Sequence, residues 1–205
     1  MKKKTTYLFV FLVLTIFTIT AQADISQYTG TLSVQSGDSH AHTYIWNDAE
    51  LDMTGGTLQS LDMFNSSTAD ISGGNITQGA YAWDNSTVDI SDGFIGWNLD
   101  ASDLSVVNLY GGVITDWLYA TDSSVVNIFG YGFNYDSEAG DWNGGQLTGF
   151  WLDDSPFTID LLDNIDIDST YNDHVNLVPE PGTIILIGVG GLFLRKRKQS
   201  FEKVE

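Results

Sequence analysis

Cysteine is absent from the 205 residues, so neither a disulfide nor a thiolate metal site takes part in the fold. Lysine and arginine are absent from all but the two ends. The eight basic residues are Lys2, Lys3, Lys4, Arg195, Lys196, Arg197, Lys198 and Lys203. Removing Glu202 and Glu205 from the 27 acidic residues leaves 25 between positions 24 and 180, with no lysine or arginine among them. Nucleic-acid binding, which displaces counterions from phosphates with basic side chains, is excluded for that region. Attraction to anionic lipid headgroups fails for the same reason. So does β-elimination of uronates with a basic residue as base or charge clamp. A long hydrophobic span is lacking too. The apolar stretch at 183–194 has 12 residues, which as a helix reach about 18 Å against a hydrocarbon core of about 30 Å.

What is present begins with the two ends. Three lysines at 2–4, an apolar stretch at 7–19 and the Ala21-Gln22-Ala23 pattern read as a secretory signal peptide, with cleavage after Ala23. At the other end the apolar stretch is followed at once by Arg195-Lys196-Arg197-Lys198. Basic clusters stay cytoplasmic, so both ends place residues 24–180 outside the inner membrane. Two prolines around one glutamate, Pro179-Glu180-Pro181, cannot continue a helix and form an extended hinge ahead of the apolar segment.

Pro-Glu-Pro, a short apolar helix and a basic tail, in that order, resemble the PEP-CTERM sorting signal. The resemblance covers about twenty C-terminal residues and implies recognition at Pro179, Glu180 and Pro181 by a membrane protease called an exosortase. It also implies a Gram-negative bacterium that exports polysaccharide. The protein is then exported, held for a time in the inner membrane, and passed to the surface or the extracellular space.

The middle of the chain repeats. LSVQSG (32–37), LDMTGG (51–56), ADISGG (69–74), VDISDG (88–93), VNLYGG (107–112) and VNIFGY (126–131) begin 19, 18, 19, 19 and 19 residues apart. Each is apolar–polar–apolar with a glycine-rich end: a short half-buried strand and a turn. A second strand is marked by Leu58, Ile76, Ile95 and Ile114. A later turn carries Asn47, Asn65, Asp84, Asp103 and Asp122, residue types that tolerate left-handed backbone. This period, with no helix, predicts an all-β fold: a parallel β-helix, right-handed by the usual rule, of about six coils. A left-handed helix and an antiparallel meander are the alternatives. Residues 144–152 and 157–161 read as a hairpin, so the organisation is signal peptide 1–23, repeat β-helix 24–140, β-hairpin cap 141–178 and sorting signal 179–205 with a short apolar helix.

No catalytic residues are expected. Asp52, Asp70 and Asp89 stand on the outward side of successive coils and read as a solvated acidic face, with a cation or sugar ladder as the competing reading. Asp163, Asp166, Asp168 and Asp173 resemble a calcium-rich loop without the glycine and distal glutamate of an EF-hand. No cofactor is expected beyond calcium at those four residues. Trp46, Phe64 and Trp83 share a column; Trp97, Trp117, Tyr119, Trp142 and Trp151 lie elsewhere, and packing and polysaccharide contact are both open for them. Asn65, Asn75 and Asn85 begin glycosylation-like triplets that are turn composition, and His40 with His42 makes no zinc site without further ligands. The functional expectation is a non-catalytic surface or matrix protein whose partners are an exosortase and exopolysaccharide in a biofilm. A glycoside hydrolase on the same rod and a calcium-dependent adhesin are the alternatives; two carboxylates suffice for the former.

Overall fold

A computed structural model describes residues 23–163 and 169–179. The signal peptide and the C-terminal apolar helix lie outside the described residues. The strands are β1 (Ile25–Gln27), β2 (Thr31–Val34), β3 (Ser39–Ile45), β4 (Glu50–Met63), β5 (Thr68–Ile76), β6 (Ala80–Ala82), β7 (Thr87–Ile95) and β8 (Leu99–Ala101). They continue with β9 (Val106–Leu109), β10 (Val113–Ile114), β11 (Leu118–Ala120), β12 (Val125–Asp136), β13 (Gln146–Phe150), β14 (Pro156–Leu162) and β15 (Val175–Pro179).

The repeats stack as parallel rungs in register. In the first ladder Leu32 pairs with Leu51, Leu51 with Ala69, Ala69 with Val88, Val88 with Val107 and Val107 with Val126. A second ladder runs through Leu58, Ile76, Ile95 and Ile114. A third carries Leu61, Ala80, Leu99 and Leu118. The result is a three-sided β-solenoid of about five turns, with almost no helix among the described residues. Alternation sends one residue in two inward, and the inward set is mostly apolar: Leu51, Met53, Leu58, Leu61, Met63, Val107, Leu109 and Leu118 are each at most 2 % exposed.

The turn between coils is set by one residue per repeat. Asn47, Asn65, Asp84, Asp103 and Asp122 have φ of 58, 61, 56, 60 and 62°. Side chains lock these turns together. The Asn65 N–H donates to Asp84 Oδ2 at 2.8 Å, Asp84 N–H to Asp103 Oδ2 at 3.0 Å, and Asp103 N–H to Asp122 Oδ2 at 3.4 Å. Two residues further on, Ser67, Ser86, Ser105 and Ser124 point inward and are buried.

The sixth unit departs from the expected six coils. It begins as a rung on β9 but its strand, β12, runs on to Asp136 and pairs antiparallel with β13. β13 pairs antiparallel with β14, and Leu161 of β14 returns to Leu118 of the third ladder. A short π-helix, Thr170–His174, closes the corner: Thr170 Oγ1 accepts from Ala120 N–H at 3.3 Å, and His174 Nδ1 lies 3.0 Å from the Ser124 carbonyl. β15 then adds one more parallel rung to the first ladder, Val175 on Val126 and Leu177 on Ile128. Repeat periodicity is lost after residue 131, because the cap must turn the ladder edge back on itself instead of extending it.

Candidate functional site

Tyrosine and carboxylate side chains gather on the outer side of the third ladder. Its inward residues are small or branched and buried, so the residues between them face out. Read along the register these are Tyr44, Asp62, Tyr81, Asp100 and Tyr119, a tyrosine and a carboxylate on alternating rungs. Rungs stand about 4.8 Å apart, so like side chains recur every ~9.6 Å along the rod.

Each carboxylate is half-buried and held by neighbours two residues away on its own or an adjoining strand. His42 Nδ1 lies 2.7 Å from Ser60 Oγ, and Ser60 Oγ donates to Asp62 Oδ2 at 3.4 Å. Burial pushes the Asp62 carboxyl up from the usual carboxylate range, with Ser60 and His42 opposing. Burial lifts Asp100 further, to about 6, against one hydrogen bond from Asn98. Asp100 Oδ1 is buried without a partner. The Tyr81 hydroxyl donates to Asn98 Oδ1 at 3.3 Å, and its own pKa is raised by burial first and by Asp100 next.

The far end of the Tyr81 side chain lies over Gly79, which has no side chain to displace it. A Cβ at Gly79 would stand 2.5 Å from Tyr81 Oη and 2.7 Å from Asn98 Oδ1. Aromatics flank the strip. Trp46 stacks on Phe64 at 4.1 Å and on Tyr28 at 6.1 Å; Trp117, next to the last rung, meets Trp142 edge-on at 4.4 Å. Flat rings beside carboxylate and amide acceptors, on a straight face, can take the apolar face of a pyranose and accept from its hydroxyls.

The acidic face read from sequence lies on the first ladder. Asp52, Asp70 and Asp89 pair rung to rung. The series ends in amides that relieve it: Asn108 Nδ2 donates to Asp89 Oδ1 at 2.6 Å, Asn127 to Asn108 at 2.8 Å, and Asn176 to Asn127 at 3.2 Å. Of the calcium-loop residues, Asp166 and Asp168 lie outside the described residues. Asp163 Oδ1 accepts the Thr170 N–H at 2.7 Å and Asp173 Oδ2 the Ser169 N–H at 3.0 Å, so each carboxylate shapes the turn around the π-helix. Among the described residues no three acidic or histidine side chains converge as a metal site.

The tyrosine–aspartate alternation recurs at the 18–19-residue spacing of the repeat, without a turn signature of its own. Its three-residue strands, β6, β8 and β11, end in turns without the glycine signature of the first ladder.

At the ends of the chain, Ala21 lies outside the described residues, and the Ala23 carbonyl accepts the Ala41 N–H at 3.0 Å. Pro179 is the last residue of β15 and pairs with Gly130; Glu180 and Pro181 lie outside the described residues. Of the three hinge residues read from sequence, Pro179 thus lies on a rung of the solenoid. No curated protein and no solved structure matches the chain. Residues 177–198 match the model of the PEP-CTERM protein-sorting motif, and the last three residues of β15 are the start of that match. A β-solenoid that hands its final rung to a PEP-CTERM sorting signal is thus an exported protein, transiently anchored at the membrane and sorted by an exosortase.

Proposed function

We propose that this is a non-catalytic surface or matrix protein that holds an uncharged exopolysaccharide along the tyrosine–aspartate strip. The alternation of Tyr44, Asp62, Tyr81, Asp100 and Tyr119 carries the reading. A repeat of ~9.6 Å on a straight face offers equivalent contacts to successive units of a linear polymer. The charge pattern supports the ligand class. With 25 carboxylates and no lysine or arginine between positions 24 and 180, a polyuronate is repelled, and a neutral chain is not. Export and sorting deliver such a protein to the place where a secreted polymer accumulates, and a biofilm is the setting that fits.

The test is co-sedimentation of the exported protein with insoluble neutral glycans and with a polyuronate, while reducing ends are assayed. Binding to a neutral polymer, lost in Tyr81→Ala and without new reducing ends, is the expected result. Equal binding by Tyr81→Ala, or none to any polymer, sinks the reading.

A second reading rests on one observation: Asp62 and Asp100 both have raised pKa values and stand two rungs apart, near the carboxyl spacing of an inverting glycoside hydrolase. The Tyr81 side chain lies between them, where the catalytic water would have to sit. New reducing ends that vanish in Asp100→Asn favour this second reading.

A further inference from the structure

The second ladder ends at Ile114, one rung short of the third ladder and two short of the first. β10 has two residues and pairs only with β7, while β14, beyond it, pairs with β13 and β11. The hairpin therefore crosses the end of this face without hydrogen-bonding to it, and a slot remains between Ile114 and Ile159. The slot opens into a cavity of about 260 Å³. Its floor is the inner side of the coils, with Ile71, Ile90, Ile95 and Leu109; its far wall is Trp151 and Phe157 of the hairpin. Native interiors leave few voids larger than a water molecule, and the side chains of this floor and far wall are apolar.

The mouth adds a second observation. Four large apolar side chains around it are exposed: Phe94 at 41 %, Tyr110 at 37 %, Val113 at 55 % and Leu152 at 44 %. They border the cavity and an adjoining hollow that shares Val113, Trp151 and Pro156 with it. Exposed apolar groups gathered at the mouth of an apolar cavity mark a ligand site. The polar groups at the rim are Ser91, Asp92, Asp153, Ser155, Thr158 and the Tyr110 phenol: two carboxylates, four hydroxyls and no base.

We infer that this slot binds a small apolar molecule, a single alkyl chain or ring system, whose head group is uncharged or cationic. An engineered apolar cavity of about 150 Å³ takes benzene, so ~260 Å³ scales to about ten carbon atoms. The acidic rim accepts an ammonium or a hydroxyl and repels a carboxylate. The site is separate from the tyrosine–aspartate strip, which lies on another face, and does not depend on glycan binding.

The experiment uses the processed protein recovered from producing cells without detergent. It is titrated calorimetrically with decanol, decyltrimethylammonium and decanoate, each below its micelle concentration, and Trp151 emission is followed. Saturable one-to-one binding of the first two, at least tenfold weaker binding of decanoate, and a Trp151 signal absent in Trp151→Phe are expected. Ile114→Phe, which fills the slot, and Thr158→Trp, which covers it from an exposed position, each lower the affinity at least tenfold. The inference is overturned by no saturable uptake of any probe, by unchanged affinity in both variants, or by decanoate binding as tightly as decanol.

Discussion

At Asp84 two demands meet in one residue. Its φ of 56° is the left-handed region that most side chains avoid, and its carboxylate accepts the N–H of Asn65 on the preceding coil. Alanine meets neither demand, so Asp84→Ala is expected to cost about 2 kcal/mol, a sum of left-handed strain and one lost bond. Glycine removes only the bond, and Asp84→Gly should cost about 0.5–1 kcal/mol. Asparagine keeps both, and Asp84→Asn should be nearly neutral. Urea midpoints of the three variants check the order; an alanine variant as stable as asparagine would show that the turn does not need its conformer.

Two positions further, Ser86 is 0 % exposed and its Oγ has no partner, as in Ser67 and Ser105. Ala49 fills the same place in the first coil with the same backbone bond three residues back. Ser86→Ala should therefore raise stability by about 0.5–1 kcal/mol, the desolvation of an unbonded hydroxyl being removed. The left-handed asparagines and aspartates were legible in the sequence because, glycine apart, few residue types serve that backbone. The inward serines were not, since a serine beside a turn reads as solvent-facing until the register is known.

Elements here are rungs, and the distance between rungs decides what each position tolerates. Gly79 and Gly111 both have ordinary backbone angles, so space alone distinguishes them. A Cβ at Gly79 meets the far end of the Tyr81 side chain, which can swing away. A Cβ at Gly111 meets the Ser91 carbonyl of the adjoining coil, which cannot. Gly79→Ala should keep the fold at a cost of about 1 kcal/mol while displacing Tyr81 and weakening polymer binding. Gly111→Ala should cost about 3 kcal/mol or more, because two strands must part. Circular dichroism melts and the sedimentation assay separate the two; loss of fold in Gly79→Ala, with Gly111→Ala unaffected, contradicts the steric account. The same scale explains what the repeat pattern hid. Six units predict six coils, yet β12 leaves the ladder after Ile128 and the closing rung is supplied by β15, 49 residues later in sequence. A pattern of fixed period carries no signal for a strand that returns from outside the period.

Over the whole molecule the missing bases matter most. A protein whose carboxylates are ion-paired loses stability in acid, but residues 24–180 hold no lysine or arginine to pair with. Self-repulsion among 25 acids opposes the compact state and is screened by salt, so the melting temperature should rise by a few degrees from about 10 mM to 500 mM sodium chloride. Asp100 sets the sign of the pH dependence. Its folded pKa, about 6, lies above the ordinary 3.8, so between those values the folded state holds a proton that the unfolded chain has released. Stability is then greatest below about 3.8 as far as this group is concerned, falls as pH rises through the window, and is fully reduced above about 6. Two pH units correspond to about 3 kcal/mol, and partial exposure of the carboxylate discounts this to about 2. Asp62 moves in the same direction. The protein should thus resist urea better at pH 5 than at pH 7.5, the reverse of an ion-paired fold. In Asp100→Asn, which keeps the shape without the charge, stability at pH 7.5 should rise by about 1–2 kcal/mol and the difference between the two pH values should shrink. General repulsion also eases in acid, but it is unaffected by the identity of one side chain. A wild type that is more stable at pH 7.5, or a variant with the full pH difference intact, would remove Asp100 from the account and leave only diffuse charge.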